Sequence, residues 1–100
     1  MYVVVEFLDA DPAQRASLRQ ALVMFAHQCL AGHGGCLTFD VAQDELDGSA
    51  FLLYRRFEDK AAYLASLEHA DTHAHRAEVD RWIKTRRTLT YESLSEAGVA

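Results

Sequence analysis

Two strand-forming segments constrain the fold of this chain more than any other feature. Segments 2–8 (YVVVEFL) and 51–57 (FLLYRRF) are rich in β-branched and aromatic residues, with apolar side chains at both odd and even positions. This pattern is typical of a strand that is buried on both faces. The chain has 100 residues, enough for one compact domain but not for two. The sequence therefore predicts one domain whose central strands need cover on both sides.

A long amphipathic helix follows the first strand. Asp11 is a predicted N-cap and Pro12 suits the first helical position. Apolar residues recur at helical spacing until Gly32 supplies a stop, at Leu18, Leu22, Phe25 and Cys29. The spacing predicts one helix over residues 12–31.

The rest of the chain completes an alternation of strands and helices. Leu37, Phe39 and Val41 alternate with polar or small residues, which predicts a half-buried strand. The later predicted elements are a polar hairpin at 44–49, a helix from the cap Asp59 to Leu67, a helix capped by Asp71 or Thr72 that runs through Val79, Trp82 and Ile83, and a strand at 88–94.

This order, strand–helix–strand–strand–helix pair–strand, predicts a ferredoxin-like βαββαβ fold of the α+β class with an antiparallel sheet. We expect a single domain over 1–94 and a loose tail over 95–100. The first and third strands form the centre of such a sheet, and the helices cover only one face. The uncovered face predicts a second copy of the chain, and thus a homodimer.

Composition and charge narrow the class of partner. The net charge of −5 argues against nucleic acid, because phosphate binding needs a concentrated positive face. No apolar run approaches the roughly 20 residues of a membrane span, and the N-terminus lacks a basic signal region, so we expect a cytoplasmic protein without membrane contact. Two cysteines in such a chain are expected to be reduced thiols.

His75 is the first candidate catalytic residue. His75, Val79 and Trp82 fall at i, i+4 and i+7, which places the imidazole on the inward stripe of its helix. His73 then faces away. An inward histidine is either a core residue bonded to a backbone carbonyl, or a general base or substrate-orienting donor in a pocket between helix and sheet. His69 is the second candidate catalytic residue.

Two groups of histidines resemble metal sites. The string His27, Cys29, His33, Cys36 has suitable residue types, but helical geometry turns His27 and Cys29 to opposite faces. His69 and a histidine four residues later could share a metal on one continuous helix, but the predicted cap at 71–72 separates them. We therefore expect no metal and no cofactor.

Arginine and aromatic side chains complete the predicted substrate site. One of Arg55 and Arg56 must point toward the helices, where Glu6 or Asp40 could pair with it, and so could an anionic or phenolate ligand. Aromatic residues expected to line the same pocket are Tyr54, Phe57, Trp82 and Tyr91. Four cations, Arg81, Lys84, Arg86 and Arg87, are expected at the C-terminus of the last helix.

Three segments carry a resemblance to a known family. GCLTFDV at 35–41, FLLYRRFED at 51–59 followed by two alanines, and HADTHAH at 69–75 are similar to segments of the antibiotic biosynthesis monooxygenase family, over about residues 2–94. The resemblance implies a homodimer whose two sheets pack into an α/β barrel, with a pocket in each protomer between sheet and helices.

The resemblance also implies chemistry. Characterised relatives oxygenate phenolic, anthrone or quinol substrates without metal or flavin: the deprotonated substrate itself reduces O₂ and ends as a quinone. In that scheme His75 would be the base, Arg55 or Arg56 the counter-ion, and Trp82 with Tyr54 the aromatic walls. Haem degradation and non-catalytic binding are the alternatives. The chain contains no asparagine, a residue that both the haem-degrading relatives and the best-known anthrone oxygenases use in the pocket.

Overall fold

The computed structural model of the protein describes residues 1–95. Its elements in chain order are β1 (Tyr2–Ala10), a 3₁₀ turn (Pro12–Gln14), α1 (Arg15–Gly32), β2 (Cys36–Gln43), β3 (Ala50–Phe57), α2 (Lys60–Glu68), α3 (Ala70–Val79), a second 3₁₀ turn (Asp80–Trp82) and β4 (Ile83–Glu92). Apart from Ser95, the predicted tail lies outside the described residues. None of the helices within residues 1–95 has the length and apolar character that crossing a membrane requires.

The four strands form one antiparallel sheet in the order β2-β3-β1-β4. With the helices inserted after β1 and β3, this is the ferredoxin-like α+β fold that the sequence predicted. The two doubly apolar segments, β1 and β3, are the central pair, as expected.

One face of the sheet carries the core. Alternate residues of the central strands point toward the helices: Val4 and Leu8 of β1, and Leu53 and Phe57 of β3, are at most 4% exposed. The four stripe residues of α1 pack on them, with Leu18, Leu22, Phe25 and Cys29 all buried. The helix period of α1 and the strand period of the sheet therefore meet in one core.

Helix starts follow the predicted capping chemistry only in part. Asp59 caps α2 as expected, by accepting from the backbone N–H of Ala62. Asp11 accepts from the backbone N–H of Ala13 but caps the 3₁₀ turn, and α1 begins after Gln14, whose side chain makes no capping bond. The cap of α3, expected at residue 71 or 72, is instead His69, whose Nδ1 accepts from the N–H of Asp71 at 3.1 Å. An imidazole nitrogen here replaces the usual carboxylate or hydroxyl oxygen.

The last helix and the last strand also differ from the prediction. α3 ends at Val79, and the chain extends at Ile83, so β4 begins five residues earlier than expected. Lys84, Arg86 and Arg87 therefore lie on an edge strand and not at a helix C-terminus. Charged side chains are common on edge strands, because they discourage pairing with other chains.

β2 contains a β-bulge that the alternation of apolar and polar residues did not predict. The register with β3 shifts between Cys36 and Thr38, so Leu37 is an extra residue and lies 41% exposed, while Cys36 is buried. The prediction that Leu37 points inward was wrong. Phe39 is buried as expected.

On the other face of the sheet, no helix within residues 1–95 covers the strands. Its central residues are Val3, Val5 and Phe7 of β1 with Leu52 of β3, and Phe7 is 47% exposed. Large exposed apolar side chains at the centre of a sheet are typical of an interaction surface.

Candidate active site

A small cavity lies between the sheet and the three helices. Its volume is about 50 Å³, which is room for a few water molecules. Polar or charged side chains line it from every side: Glu6, Arg55, Tyr63, Thr72, His75, Arg76, Arg86 and Thr88. Apolar residues of α1 and the sheet complete the lining, among them Leu22 and Phe25.

The floor of the cavity contains a buried ion pair. In the β1–β3 register, Val4 lies opposite Arg55 and Glu6 opposite Leu53, so Glu6 and Arg55 are diagonal neighbours on the helix face. Arg55 Nη2 donates to Glu6 Oε1, and the two residues are 4% and 8% exposed. Burying either charge without the other would be strongly unfavourable, so each holds the other in place.

Arg86 of β4 approaches the same carboxylate. Its Nε lies 3.5 Å from Glu6 Oε2, and its Nη1 lies 3.1 Å from Asp80 Oδ1 at the rim. Thr88 Oγ1 donates to Glu6 Oε2 at 3.5 Å. Among residues 1–95, the buried Nε groups of both Arg55 and Arg86 have no hydrogen-bond partner. At the floor one carboxylate therefore faces two guanidinium groups, and unused donors remain.

Aromatic rings surround the Arg55 guanidinium. Its central carbon lies 5.3 Å from the ring centre of Phe39, 5.6 Å from that of Tyr63 and 5.9 Å from that of Phe57. Each distance is within cation–π range. The rings exclude water and fix the cation, and burial raises the pKa of the Tyr63 phenol.

His75 lines the cavity from α3, as the helical spacing predicted. Its ring stacks on Phe25 with centres 4.0 Å apart and planes at 4°. Burial, together with the positive charges of Arg86 and Arg76, lowers the pKa of His75 to about 4. The imidazole is therefore neutral at pH 7, with a nitrogen free to accept a proton but with low basicity.

A second polar cluster lies behind Phe25. His33, at the C-cap of α1, is 5% exposed, and its Nδ1 is 2.6 Å from Ser66 Oγ of α2. Its Nε2 is 3.4 Å from Asp71 Oδ2, and its ring stacks on that of His69 at 3.9 Å. Burial lowers the pKa of His33, and the neighbouring His69 contributes to the shift. This cluster joins α1 to the α2–α3 corner.

The predicted site residues divide between the two faces of the sheet. Arg55 and His75 line the cavity, while His69 lies in the second cluster. Phe57 is fully buried beside Arg55. Trp82 is half-buried outside the cavity, under the guanidinium of Arg81 at 5.1 Å.

Three predicted binding residues lie on the uncovered face. Tyr54 and Arg56 alternate with the inward residues of β3, and Tyr91 pairs with Val3 of β1 on the same side. The expectation that Tyr54 and Tyr91 line the cavity between sheet and helices is not met, whereas Arg56 takes the outward position that one of the two adjacent arginines had to take. Strand parity could have excluded Tyr54, because it is one residue from the inward Arg55.

Two charged residues of the cavity were not among the predicted site residues. The sequence suggests Glu6 only as a partner for an arginine, and it places Arg86 at the C-terminus of the last helix. A lone carboxylate within an apolar strand is the signal that marks Glu6, because a central strand tolerates a charge only when it is paired.

The four residues of the string from His27 to Cys36 lie in different surroundings, and His33 belongs to the second cluster. His27 is exposed, whereas Cys29 and Cys36 are buried free thiols. Burial raises the pKa of Cys29 to about 12 and that of Cys36 above its ordinary value, so both are unreactive.

Comparisons with known proteins agree on the fold. Residues 1–78 match the family model of antibiotic biosynthesis monooxygenases. The structure of a candidate antibiotic biosynthesis monooxygenase from Nitrosomonas europaea is similar, with a TM-score of 0.89 and 24% sequence identity, covering 95% of this chain and 100% of that one. A candidate of the same family from Deinococcus radiodurans has a TM-score of 0.88 and 22% identity, covering 95% of this chain and 94% of that one.

Rv0793 from Mycobacterium tuberculosis is similar as well, with a TM-score of 0.86 and 21% identity, covering 96% of this chain and 97% of that one. At these identities the likeness shows the fold alone. None of the curated proteins compared with the chain matches it. The family match extends over most of the chain, and this chain belongs to the antibiotic biosynthesis monooxygenase family.

Proposed function

We propose that this protein is a monooxygenase that oxidises a phenolic or quinol-type aromatic molecule with O₂, without a cofactor. The observation that carries the proposal is the excess of positive charge at the cavity, where three cations face two carboxylates: Arg55, Arg76 and Arg86 against Glu6 and Asp80. Within residues 1–95, two buried Nε donors of this group, those of Arg55 and Arg86, have no hydrogen-bond partner. Such a group stabilises an additional negative charge. A phenolate oxygen supplies that charge and fits the donors.

The proposed reaction balances with substrate and O₂ alone. The substrate loses its phenolic proton, and the resulting anion transfers an electron to O₂. Substrate radical and superoxide combine into a peroxide. One oxygen atom remains in the product as a quinone carbonyl, and the other leaves as water with two hydrogens of the substrate. The substrate supplies all four electrons, so no external reductant is needed.

His75 is the proposed proton acceptor. With a pKa of about 4, it is a weak base for a free phenol of pKa about 10. The transfer becomes feasible because Arg55 and Arg86 stabilise the phenolate and thereby lower the phenol's pKa. His75 therefore acts together with the arginines and is ineffective without them.

The cavity must enlarge to admit an aromatic ring, because about 50 Å³ holds only a few waters. α2 is the element suited to move, since Ser66 is the one buried residue among its nine. Tyr63 and Leu67, which line the cavity from α2, would move with it.

The proposed working unit is a homodimer in the cytoplasm. The apolar, uncovered face of the sheet supports pairing with the same face of a second copy, which would close the two sheets into a barrel. The buried free thiols of Cys29 and Cys36 suit a reducing compartment.

Oxygen uptake tests the proposal. Purified protein is incubated with hydroquinones, naphthols and anthrones, and O₂ consumption is followed with an electrode. We expect turnover above buffer, and we expect His75→Ala to lower kcat/KM by about 10²-fold. His73→Ala is the matched control, because His73 is an exposed histidine on the same helix. No turnover with any substrate, or full activity of His75→Ala, would contradict the proposal.

Ligand binding without turnover is a second candidate function, and the low basicity of His75 favours it. In that case, phenols would raise the melting temperature and no O₂ would be consumed. Haem binding has no comparable support in the cavity, and a titration without a Soret band would exclude it.

A further inference from the structure

The cluster behind Phe25 contains three side chains of the types that bind transition metals. His33, His69 and Asp71 each offer one ligand atom, and these atoms lie within 4.8 Å of one another. Two imidazoles and one carboxylate are a ligand set that suits Zn²⁺ and similar first-row ions. The cluster is distinct from the proposed active site, because the Phe25 ring lies between them and contacts both His75 and His33.

Two of the three ligand–ligand distances are close to those around a tetrahedral ion, and all three are within 4.8 Å. Zinc bonds of about 2.0–2.1 Å place tetrahedral ligands about 3.3 Å apart. Asp71 Oδ2 lies 3.4 Å from His33 Nε2 and 3.5 Å from His69 Nδ1. Without a metal, these distances are slightly longer than the donor–acceptor distance of an ordinary hydrogen bond.

The surroundings of His33 resemble those of a metal ligand. Ser66 Oγ lies 2.6 Å from its Nδ1 and fixes the ring so that Nε2 faces Asp71. Metal-bound histidines characteristically use their second nitrogen in such a hydrogen bond, which selects the tautomer and the ring orientation. His33 is also buried, with a side chain 1% exposed.

The remaining two groups give the metal access. The side chains of His69 and Asp71 are 38% and 37% exposed, so an ion can enter from solvent and keep water as its fourth ligand. The rings of His33 and His69 are stacked with an angle of 22°, and His69 Nδ1 caps α3. Coordination therefore requires the His69 ring to tilt and release that cap, and its exposure leaves room to do so.

We propose that His33, His69 and Asp71 form a binding site for a divalent transition-metal ion, with Zn²⁺ as the reference ion. The bound ion links the C-terminus of α1 to the α2–α3 corner, beside Ser66, the buried residue of α2. A consequence that rests on the proposed function is that the ion restrains α2, the helix proposed to move when the cavity opens. The site departs from the expectation, drawn from the sequence, that no metal binds.

Calorimetry with ZnCl₂ on EDTA-treated protein tests the site. We expect one equivalent to bind in the micromolar range or tighter, with a rise in melting temperature. His69→Ala and Asp71→Asn alter partly exposed residues, so they should remain folded by circular dichroism, and each should weaken binding at least tenfold. His73→Ala, whose side chain is 65% exposed, is the matched control and should bind as the unaltered protein does.

Cobalt supplies an independent readout. Co²⁺ in a site with two imidazoles and one carboxylate gives visible absorption that His69→Ala should abolish. The proposal is overturned if no Zn²⁺ binds at 100 µM, or if His69→Ala and Asp71→Asn bind as tightly as the unaltered protein. Loss of binding in His73→Ala alone would also overturn it, because the metal would then lie on surface histidines.

Discussion

Replacing Glu6 by Gln tests the ionic centre of the cavity. The substitution keeps the side-chain shape and removes the charge that lies between Arg55 and Arg86. At an effective dielectric constant of about 20, charges about 4 Å apart interact by about 4 kcal/mol. That attraction is lost while the Arg55 guanidinium stays buried, with its side chain 5% exposed. Removing one partner of a buried pair typically costs about 3–5 kcal/mol.

We expect the free energy of unfolding of Glu6→Gln to fall by that amount, a drop in melting temperature of about 15–25 °C for a domain of this size. Urea unfolding, followed by circular dichroism at one fixed protein concentration, measures it. Asp9→Asn on the same strand is the matched control, since Asp9 is exposed and bonds Thr85, and it should cost less than about 1 kcal/mol.

The double variant Glu6→Gln/Arg55→Met separates charge from packing. If an unpaired buried cation causes the loss, the double variant should be more stable than Glu6→Gln alone. A loss below about 1 kcal/mol in Glu6→Gln, or a double variant less stable than the single one, would refute the reasoning that this pair is buried and mutually dependent.

Three further predictions concern the loop between α1 and β2, the uncovered face of the sheet, and pH. Gly35→Ala should lower the free energy of unfolding in urea by about 1–3 kcal/mol, because Gly35 has φ +80° and a Cβ there would lie 2.6 Å from a side-chain carbon of α2. Gly34→Ala is the control and should be nearly neutral, because a Cβ at Gly34 meets no atom within 4 Å. By light scattering, the unaltered protein should be a dimer of about 22 kDa, twice 11.2 kDa, and Phe7→Glu should be a monomer. Leu46→Glu changes a loop residue that is 95% exposed and should remain a dimer. A monomeric unaltered protein would contradict the dimer. His75 has a pKa of 6.5 in the unfolded chain and about 4 in the folded protein, so the unfolded chain binds a proton first as the pH falls. The free energy of unfolding should therefore decrease between about pH 6.5 and pH 4, and His75→Phe should reduce that decrease by up to about 3 kcal/mol. An unchanged pH dependence in His75→Phe would contradict the lowered pKa.

The sequence predicted the fold because its strongest signals are local and repeated. Strand parity in β1 and β3 and the apolar stripe of α1 each involve several residues that agree. Single-residue signals were less reliable. The cap of α3 is His69 because its ring nitrogen reaches the Asp71 N–H, and helix-capping preferences do not include histidine.

The site was only partly predictable, because its groups come from distant parts of the chain. His75 followed from helical spacing on one element. Glu6, Arg55 and Arg86 lie on three strands, and their meeting depends on the register of both central ladders. Placing Arg86 required knowing that β4 begins at Ile83. The His33 cluster likewise joins a helix end to a corner more than thirty residues away.

Isotope labelling of the product tests the central claim most directly. A substrate that consumes O₂ in the uptake assay is turned over under ¹⁸O₂, and the quinone is analysed by mass spectrometry. The proposed reaction predicts one ¹⁸O atom per quinone, one O₂ consumed per product, and a rate at least tenfold lower in His75→Ala. A quinone without ¹⁸O, with hydrogen peroxide as the reduced product, would contradict monooxygenation in this cavity.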